Sequence, residues 1–237
     1  MGLNSFSRVF ASDNPQPQPR IALIIDDIGF SRSRLRQFLE LQTPMTFAVL
    51  PRLKNSHKLA LEIHAHGHEI MLHQPMEPYA RDLDPGPGAI YVGDEPNRIA
   101  GILRENISDI PFVTGVNNHM GSRFTSSRKG MGDALRTINK KGLFFVDSVT
   151  TSRSIGYKTA KRLHMAAAFR NIFLDNCSEE TAILSQLHKL KAHALRFGHA
   201  IGIGHPFPET ASAIRHFLTD LRGSDISMVH ISHLIRT

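Results

Sequence analysis

The stretch Ile21-Ala22-Leu23-Ile24-Ile25-Asp26-Asp27-Ile28-Gly29-Phe30-Ser31 decides the fold class. Its five leading apolar residues are too few for a helix and read as a strand buried on both faces. The run ends on two aspartates. Gly29 then turns the chain, and Ser31, with Arg34 and Leu35 behind it, starts a helix over 31–41. The same strand–turn–helix pattern recurs downstream. Further apolar runs fall at 46–50, 69–72, 112–116, 143–146, 166–169, 200–203 and 228–231. Helical patterning fills the intervals at 56–66, 96–110, 130–141, 159–163, 179–197 and 208–221, with Pro96 as an opening residue and Gly142 and Gly198 as stops. Alternation repeated seven or eight times, with no fixed-period repeat and no second domain boundary, specifies a parallel sheet with helical crossovers. The reading is a single α/β domain over 21–237, a distorted TIM-like (β/α) barrel of seven or eight units. A doubly wound open sheet is the competing arrangement. The tail 224–237 is expected to close the barrel with one last strand.

Composition removes several function classes. The chain has 237 residues, 41% hydrophobic and 21% charged, which is enough to bury a core without covalent staples. A single cysteine, Cys177, excludes an internal disulfide and a cysteine-based zinc cluster. No apolar run approaches the ~20 residues a membrane helix requires. The formal charge of +7 comes from 28 Lys and Arg against 21 Asp and Glu. These cations are scattered (Arg32, Arg34, Arg36; Lys140, Lys141; Lys189, Lys191) and tryptophan is absent, which argues for a solvated basic surface and against a nucleic-acid interface. Residues 1–20 differ from the rest: the Pro/Gln tract at 14–19 reads as an extended linker. The segment 9–12 reads as a candidate remnant of an export signal, so an exported or periplasmic protein is expected, with a cytoplasmic one as the alternative.

The polar residues are placed systematically. Asp26 and Asp27 end the first apolar run, His73 the third, Asn117-Asn118-His119 the fourth, Asp147 the fifth and His205 the seventh. In a βα barrel the carboxyl ends of all strands meet on one rim, where active sites are built. Any one of these residues has a structural explanation, such as helix capping by an aspartate. The set is better explained as a site. Carboxylate and imidazole together suit a divalent metal, and a catalytic centre offers three protein ligands and one open position. Asp27, His73 and His119 can supply those ligands, Asp26 a base and His205 an acid, which is the equipment for metal-assisted acyl hydrolysis. The Pro/Gly-rich segment 77–97 is expected on the same rim as a substrate loop.

The motifs Ile25-Asp26-Asp27-Ile28-Gly29, Gly67-His68-Glu69-Ile70, His73-Gln74-Pro75-Met76-Glu77-Pro78, Asn117-Asn118-His119-Met120-Gly121-Ser122 and Phe145-Val146-Asp147-Ser148 resemble the polysaccharide deacetylase superfamily, most closely its divergent branch. The resemblance runs from Ile21 to about Leu221. It implies a distorted barrel, a zinc-type metal and removal of acetyl groups, from amide or ester, on a polysaccharide or peptidoglycan-like envelope glycan. It implies Asp26 as base, Asp27 as metal ligand and His205, in Ile203-Gly204-His205, as acid. It also suggests that Arg123 orients the base and that Asp147 supports the acid. The usual second metal histidine, four residues after the first, is replaced here by Glu77. His119 is therefore preferred as the third ligand, with Glu77 as the alternative. The same altered motif admits a second hypothesis, a catalytically retired glycan-binding or envelope-assembly protein on the same barrel.

Other signals are weaker. His68-Glu69 with His73 misses the zincin spacing by one residue, and His64, His66 and His68 read as a polar helix end. Gly202-Ile203-Gly204 lacks the third glycine of a dinucleotide loop. Cys177 has no supporting motif. His188 and His193 read as surface or core residues of their helix. Asp175 ends Phe173-Leu174, and its neighbour Asn176 can reach the rim, a signal of little weight.

Overall fold

The computed structural model describes residues 18–235. The linker expected at 1–20 and the export remnant at 9–12 lie almost wholly outside the described residues. Among the described residues there are nine strands: β1 (Arg20–Ile28), β2 (Thr46–Val49), β3 (Glu69–Met76), β4 (Val113–Met120), β5 (Phe144–Asp147), β6 (Ala167–Phe169), β7 (Ile172–Phe173), β8 (His199–Gly204) and β9 (Ser227–Met228). Seven helices cross between them: α1 (Arg32–Leu39), α2 (Ser56–Ala65), α3 (Pro96–Asp109), α4 (Arg128–Lys140), α5 (Gly156–Arg162), α6 (Glu180–Phe197) and α7 (Pro208–Asp220). Ser31 caps α1 through the Arg34 amide, and Gly198 ends α6 at φ 80, both as the sequence pattern specifies. No helix among the described residues is long and apolar enough to cross a membrane.

Every strand pairing is parallel, in the order β6-β5-β4-β3-β2-β1-β8-β7. The sheet curls into a distorted, incompletely closed barrel in a single α/β domain: β6 and β7 are sequence neighbours that do not pair with each other. Alternation along the strands makes two cores. Ile21, Leu23 and Ile25 face outward against Leu35, Phe38, Leu59 and Leu187 of the helices. Ala22, Ile24, Ala48, Met71, Phe144, Val146, Ile201 and Ile203 fill the interior. Gly115 has no room for a Cβ because the Phe144 ring occupies that space.

The tail differs from expectation. It does not close the barrel as a last strand. β9 is two residues long and pairs with the amino end of β1, at Arg20 and Ile21, rather than entering the gap between β6 and β7. The chain then forms a short 3-10 turn over Ile231–His233. Ile231 and Leu234 enter the interior cluster from below and plug the base of the barrel. The Ile231 amide donates to Thr46 Oγ1 (3.0 Å) and the Ser232 amide to Glu69 Oε2 (3.2 Å), which fasten the plug. Met228 keeps a short ladder to Ile21, while Ile231 and Leu234 serve burial beyond it.

The third and fourth strands run further than their apolar runs. β3 continues to Met76 and β4 to Met120, so His73 and Asn117–His119 lie inside strands instead of just after them. His73 is in register with Asn117, and Pro75 with His119. The segment between β3 and α3 leaves from the rim, and it is anchored. Gln74 Nε2 donates to the Gly88 carbonyl (2.9 Å), Asn106 Nδ2 to Gln74 Oε1 (2.8 Å), and Arg52 Nε to Asn106 Oδ1 (2.7 Å). Gly88 is required here: its φ is +77, and a Cβ would lie 2.8 Å from Asn106 Nδ2.

Candidate active site

Two consecutive residues of a regular strand point to opposite faces. Asp26 and Asp27 nevertheless address the same histidine, because the β1–β2 register slips between Ile25 and Ile28. Asp27 takes φ 56, a left-handed conformation that an aspartate adopts at a cost, which the surrounding structure offsets. As a result His73 Nε2 lies 3.2 Å from Asp27 Oδ1 and 3.6 Å from Asp26 Oδ2.

His119, two residues beyond Asn117 on the same face of β4, completes the group. Its Nδ1 is 3.0 Å from Asp27 Oδ1 and 3.2 Å from His73 Nε2. Three donor atoms therefore form a triangle with edges of 3.0–3.2 Å. Three ligands sharing one cation at ~2.0–2.2 Å would stand about 3 Å apart. Asp27 Oδ1 is buried with no hydrogen-bond partner: both imidazole nitrogens approach it, but neither is aligned as a donor. The set can hold a divalent metal, and it is the one group of three or more such ligands among the described residues. Burial opposes the charge on Asp27, but the two imidazoles outweigh it and hold the carboxyl well below the usual range.

Asn117 organises the centre. Its Oδ1 accepts from His73 Nδ1 (2.8 Å), which fixes the tautomer that turns the His73 Nε2 lone pair toward Asp27. Its Nδ2 donates to Asp26 Oδ1 (2.8 Å). Burial pushes the Asp26 carboxyl above its ordinary value; the charges of His73 and His205 and the Asn117 bond only partly oppose this. Burial acts against the charge on His73 as well, yet Asp26 and Asp27 leave its pKa raised.

His205 stands across the rim, with Nε2 3.8 Å from Asp27 Oδ2. Its partner is Asp175, not Asp147 as the sequence reading had it. Nδ1 meets Asp175 Oδ1 at 2.9 Å, the His205 amide donates to Oδ2 at 2.6 Å, and Thr210 Oγ1 donates to the same oxygen at 2.8 Å. Burial disfavours the imidazolium, but the Asp175 bond and the charges of Asp175, Asp26 and Asp27 prevail and push His205 up to about 9. The ring is also stacked on Phe173 (5.3 Å between centroids). Asp147 is committed elsewhere: it accepts from the Val149 amide (2.9 Å), Ser154 Oγ (2.7 Å) and the Tyr157 amide (2.9 Å), tying down the approach to α5.

One further placement differs from the sequence reading. Arg123 does not orient Asp26. Its Nη1 bonds Glu77 Oε1 (2.9 Å), and Glu77 Oε2 accepts from the Val92 amide (2.8 Å). Glu77 is thereby used in holding the rim loop and stands outside the triad of Asp27, His73 and His119. The arginine whose charge interacts with Asp26 is Arg170, half-buried, donating to the carbonyls of Ser148 (2.7 Å) and Val149 (2.8 Å). Asn117 was visible only as a motif letter. The partnership of Asp175 with His205 has no signal in the sequence, because β7, the strand preceding it, has two residues and no readable period.

The parallel, open-sided βα barrel is a fold shared with carbohydrate esterase deacetylases. Residues 23–235 match the model of the divergent polysaccharide deacetylase family, and the chain belongs to that family. A relative in Escherichia coli K12, the uncharacterized protein YibQ, is 30% identical over 98% of this chain and 72% of its own length. The crystal structure of uncharacterized protein ATU2773 from Agrobacterium tumefaciens superimposes with TM-score 0.86 at 27% identity, over 93% of this chain and 90% of that one. The catalytic domain of a peptidoglycan N-acetylglucosamine deacetylase from Eubacterium rectale shares the fold alone, with TM-score 0.58 at 11% identity over 92% of this chain and 90% of that one.

Proposed function

We propose that this protein is a metal-dependent hydrolase that removes acetyl groups from a polysaccharide or peptidoglycan-like glycan of the cell envelope. The observation that carries the reading is the arrangement of a base, three converging ligands and an acid around one point. Binding alone needs neither a buried carboxylate beside the triad nor a histidine held protonated across from it. Asp27, His73 and His119 would hold the cation; with one carboxylate and two imidazoles, zinc is the metal proposed. When bound, it would supply Lewis acidity toward the acyl carbonyl and make water a better nucleophile near neutral pH.

The protein's own groups account for the proton transfers. Asp26, raised by burial and oriented by Asn117, accepts the proton of the attacking water. His205, kept charged by Asp175, donates to the departing amine nitrogen or sugar oxygen. The rim loop from Glu77 onward supplies a fixed wall for the glycan. The envelope substrate implies that the protein acts outside the cytoplasm, which detection of the native protein in periplasmic fractions would support.

Acetate release from N-acetylated glycan strands by zinc-loaded protein tests this function. Asp26→Asn should retain the metal and lose turnover by roughly 10²–10⁴-fold. Unchanged activity in Asp26→Asn would overturn the assignment of the base. Absence of acetate release by metal-replete protein from any envelope glycan would favour the retired, glycan-binding alternative.

A further inference from the structure

The turn joining β1 to α1 carries Phe30, which at 66% is the most exposed large hydrophobic side chain among the described residues. An exposed phenylalanine on a loose loop would carry no information. This one is held in place. The Leu50 amide donates to the Ile28 carbonyl (2.8 Å) and Asn55 Nδ2 to the Phe30 carbonyl (3.1 Å). Between them Gly29, at φ +143, packs so closely that a Cβ would lie 2.8 Å from Leu53 Cδ1. The backbone is pinned on both sides of the ring, and the ring is kept in solvent.

Phe30 lines a recess of about 110 Å³ together with Asp27, His205, Pro206, Phe207 and Arg34. Phe207 is tilted against His205, with centroids 5.7 Å apart, so a second aromatic ring borders the acid. The cations of α1 are not equivalent. Arg32 and Arg36 both bond Glu62, at 2.6 and 3.1 Å, whereas Arg34, on the recess, has no acidic partner among the described residues.

We propose that this recess recognises the sugar adjoining the acetylated one, with Phe30 stacked on a pyranose face and Arg34 paired with a carboxylate, so that the preferred substrate is an anionic glycan. The inference takes from the proposed function only that the neighbouring cluster addresses a glycan. Stacking exploits the apolar face of the ring sugar, and a guanidinium–carboxylate pair is charge-assisted. A neutral glycan would use the first contact and leave Arg34 solvated.

The test is a binding measurement on zinc-loaded Asp26→Asn protein, which leaves the saccharide intact. The probes are neutral chitotetraose and soluble peptidoglycan glycan strands of similar length, whose alternate sugars carry a carboxylate. The carboxylated strand should bind about tenfold more tightly. Arg34→Gln in that background should abolish the preference and leave chitotetraose affinity unchanged. Phe30→Ala should weaken both ligands by about tenfold with an unchanged melting temperature. Equal affinity for the two probes, no binding of either, or indifference to both substitutions would overturn the proposal. The deacetylase reading fails separately: if the unsubstituted protein releases no acetate while the binding pattern holds, the subsite stands and the reaction does not.

Discussion

Asp175→Asn isolates one electrostatic interaction with little change of shape, since asparagine can still accept from the His205 amide. In the native chain the Asp175 bond and charge lead the contributions that raise His205 from 6.5 to about 9. That difference corresponds to about 3 kcal/mol at 1.36 kcal/mol per pKa unit. The His205 side chain keeps 23% exposure, and solvent screening brings the figure to about 2–3 kcal/mol. The sign follows from linkage: a group whose pKa is higher in the folded state stabilises fully below its unfolded pKa. This contribution is therefore complete below about pH 6.5 and is lost as pH rises through about 9. With asparagine at 175, burial pulls the imidazole down and only Asp26 and Asp27 oppose it, so the loss is much smaller. Urea unfolding of chelator-treated protein across this pH window measures the effect. The native chain should lose ~2 kcal/mol more stability over the window than Asp175→Asn does. In metal-loaded protein the alkaline limb of activity should also move to lower pH in the variant. Identical pH dependence of stability in both proteins would refute the assignment of Asp175 as the group that keeps His205 charged.

Elemental analysis should find close to one equivalent of zinc in the native protein, none in His119→Ala, and an undiminished amount in Glu77→Ala, because Glu77 is occupied by Arg123 and Val92. Retention of zinc by His119→Ala would remove that residue from the triad. Asn117→Ala frees both the His73 tautomer and the Asp26 orientation, so zinc affinity in a competitive chelator titration should fall roughly 10–100-fold. Ile231→Ala empties a fully buried position in the plug of the barrel and should cost about 2–5 kcal/mol in denaturant unfolding, whereas an apolar residue of a dispensable tail would cost almost nothing.

The sequence by itself determined the parallel architecture and the element order apart from the two-residue β7 and the tail, because strand and helix periods are local and a long enough apolar run announces its own element. Ile21–Ile25, Ser31 and Gly198 behave as their neighbours in the chain dictate. It also supplied the residues Asp26, Asp27, His73, His119 and His205, since a rim collects whatever stands near strand ends. Tertiary structure alone decided how those residues are partnered. The register slip after Ile25 turns two adjacent aspartates toward one histidine, and the extension of β4 to Met120 brings His119 beside His73. The same local type, an aspartate at or just beyond a strand end, serves as a loop tether at Asp147 and as the partner of His205 at Asp175. Likewise Arg123 binds Glu77 while Arg170 lies near Asp26, and the apolar tail plugs the base instead of closing the wall. These outcomes depend on the curl of the sheet and the offset between strands distant in sequence. No spacing along the chain encodes either one.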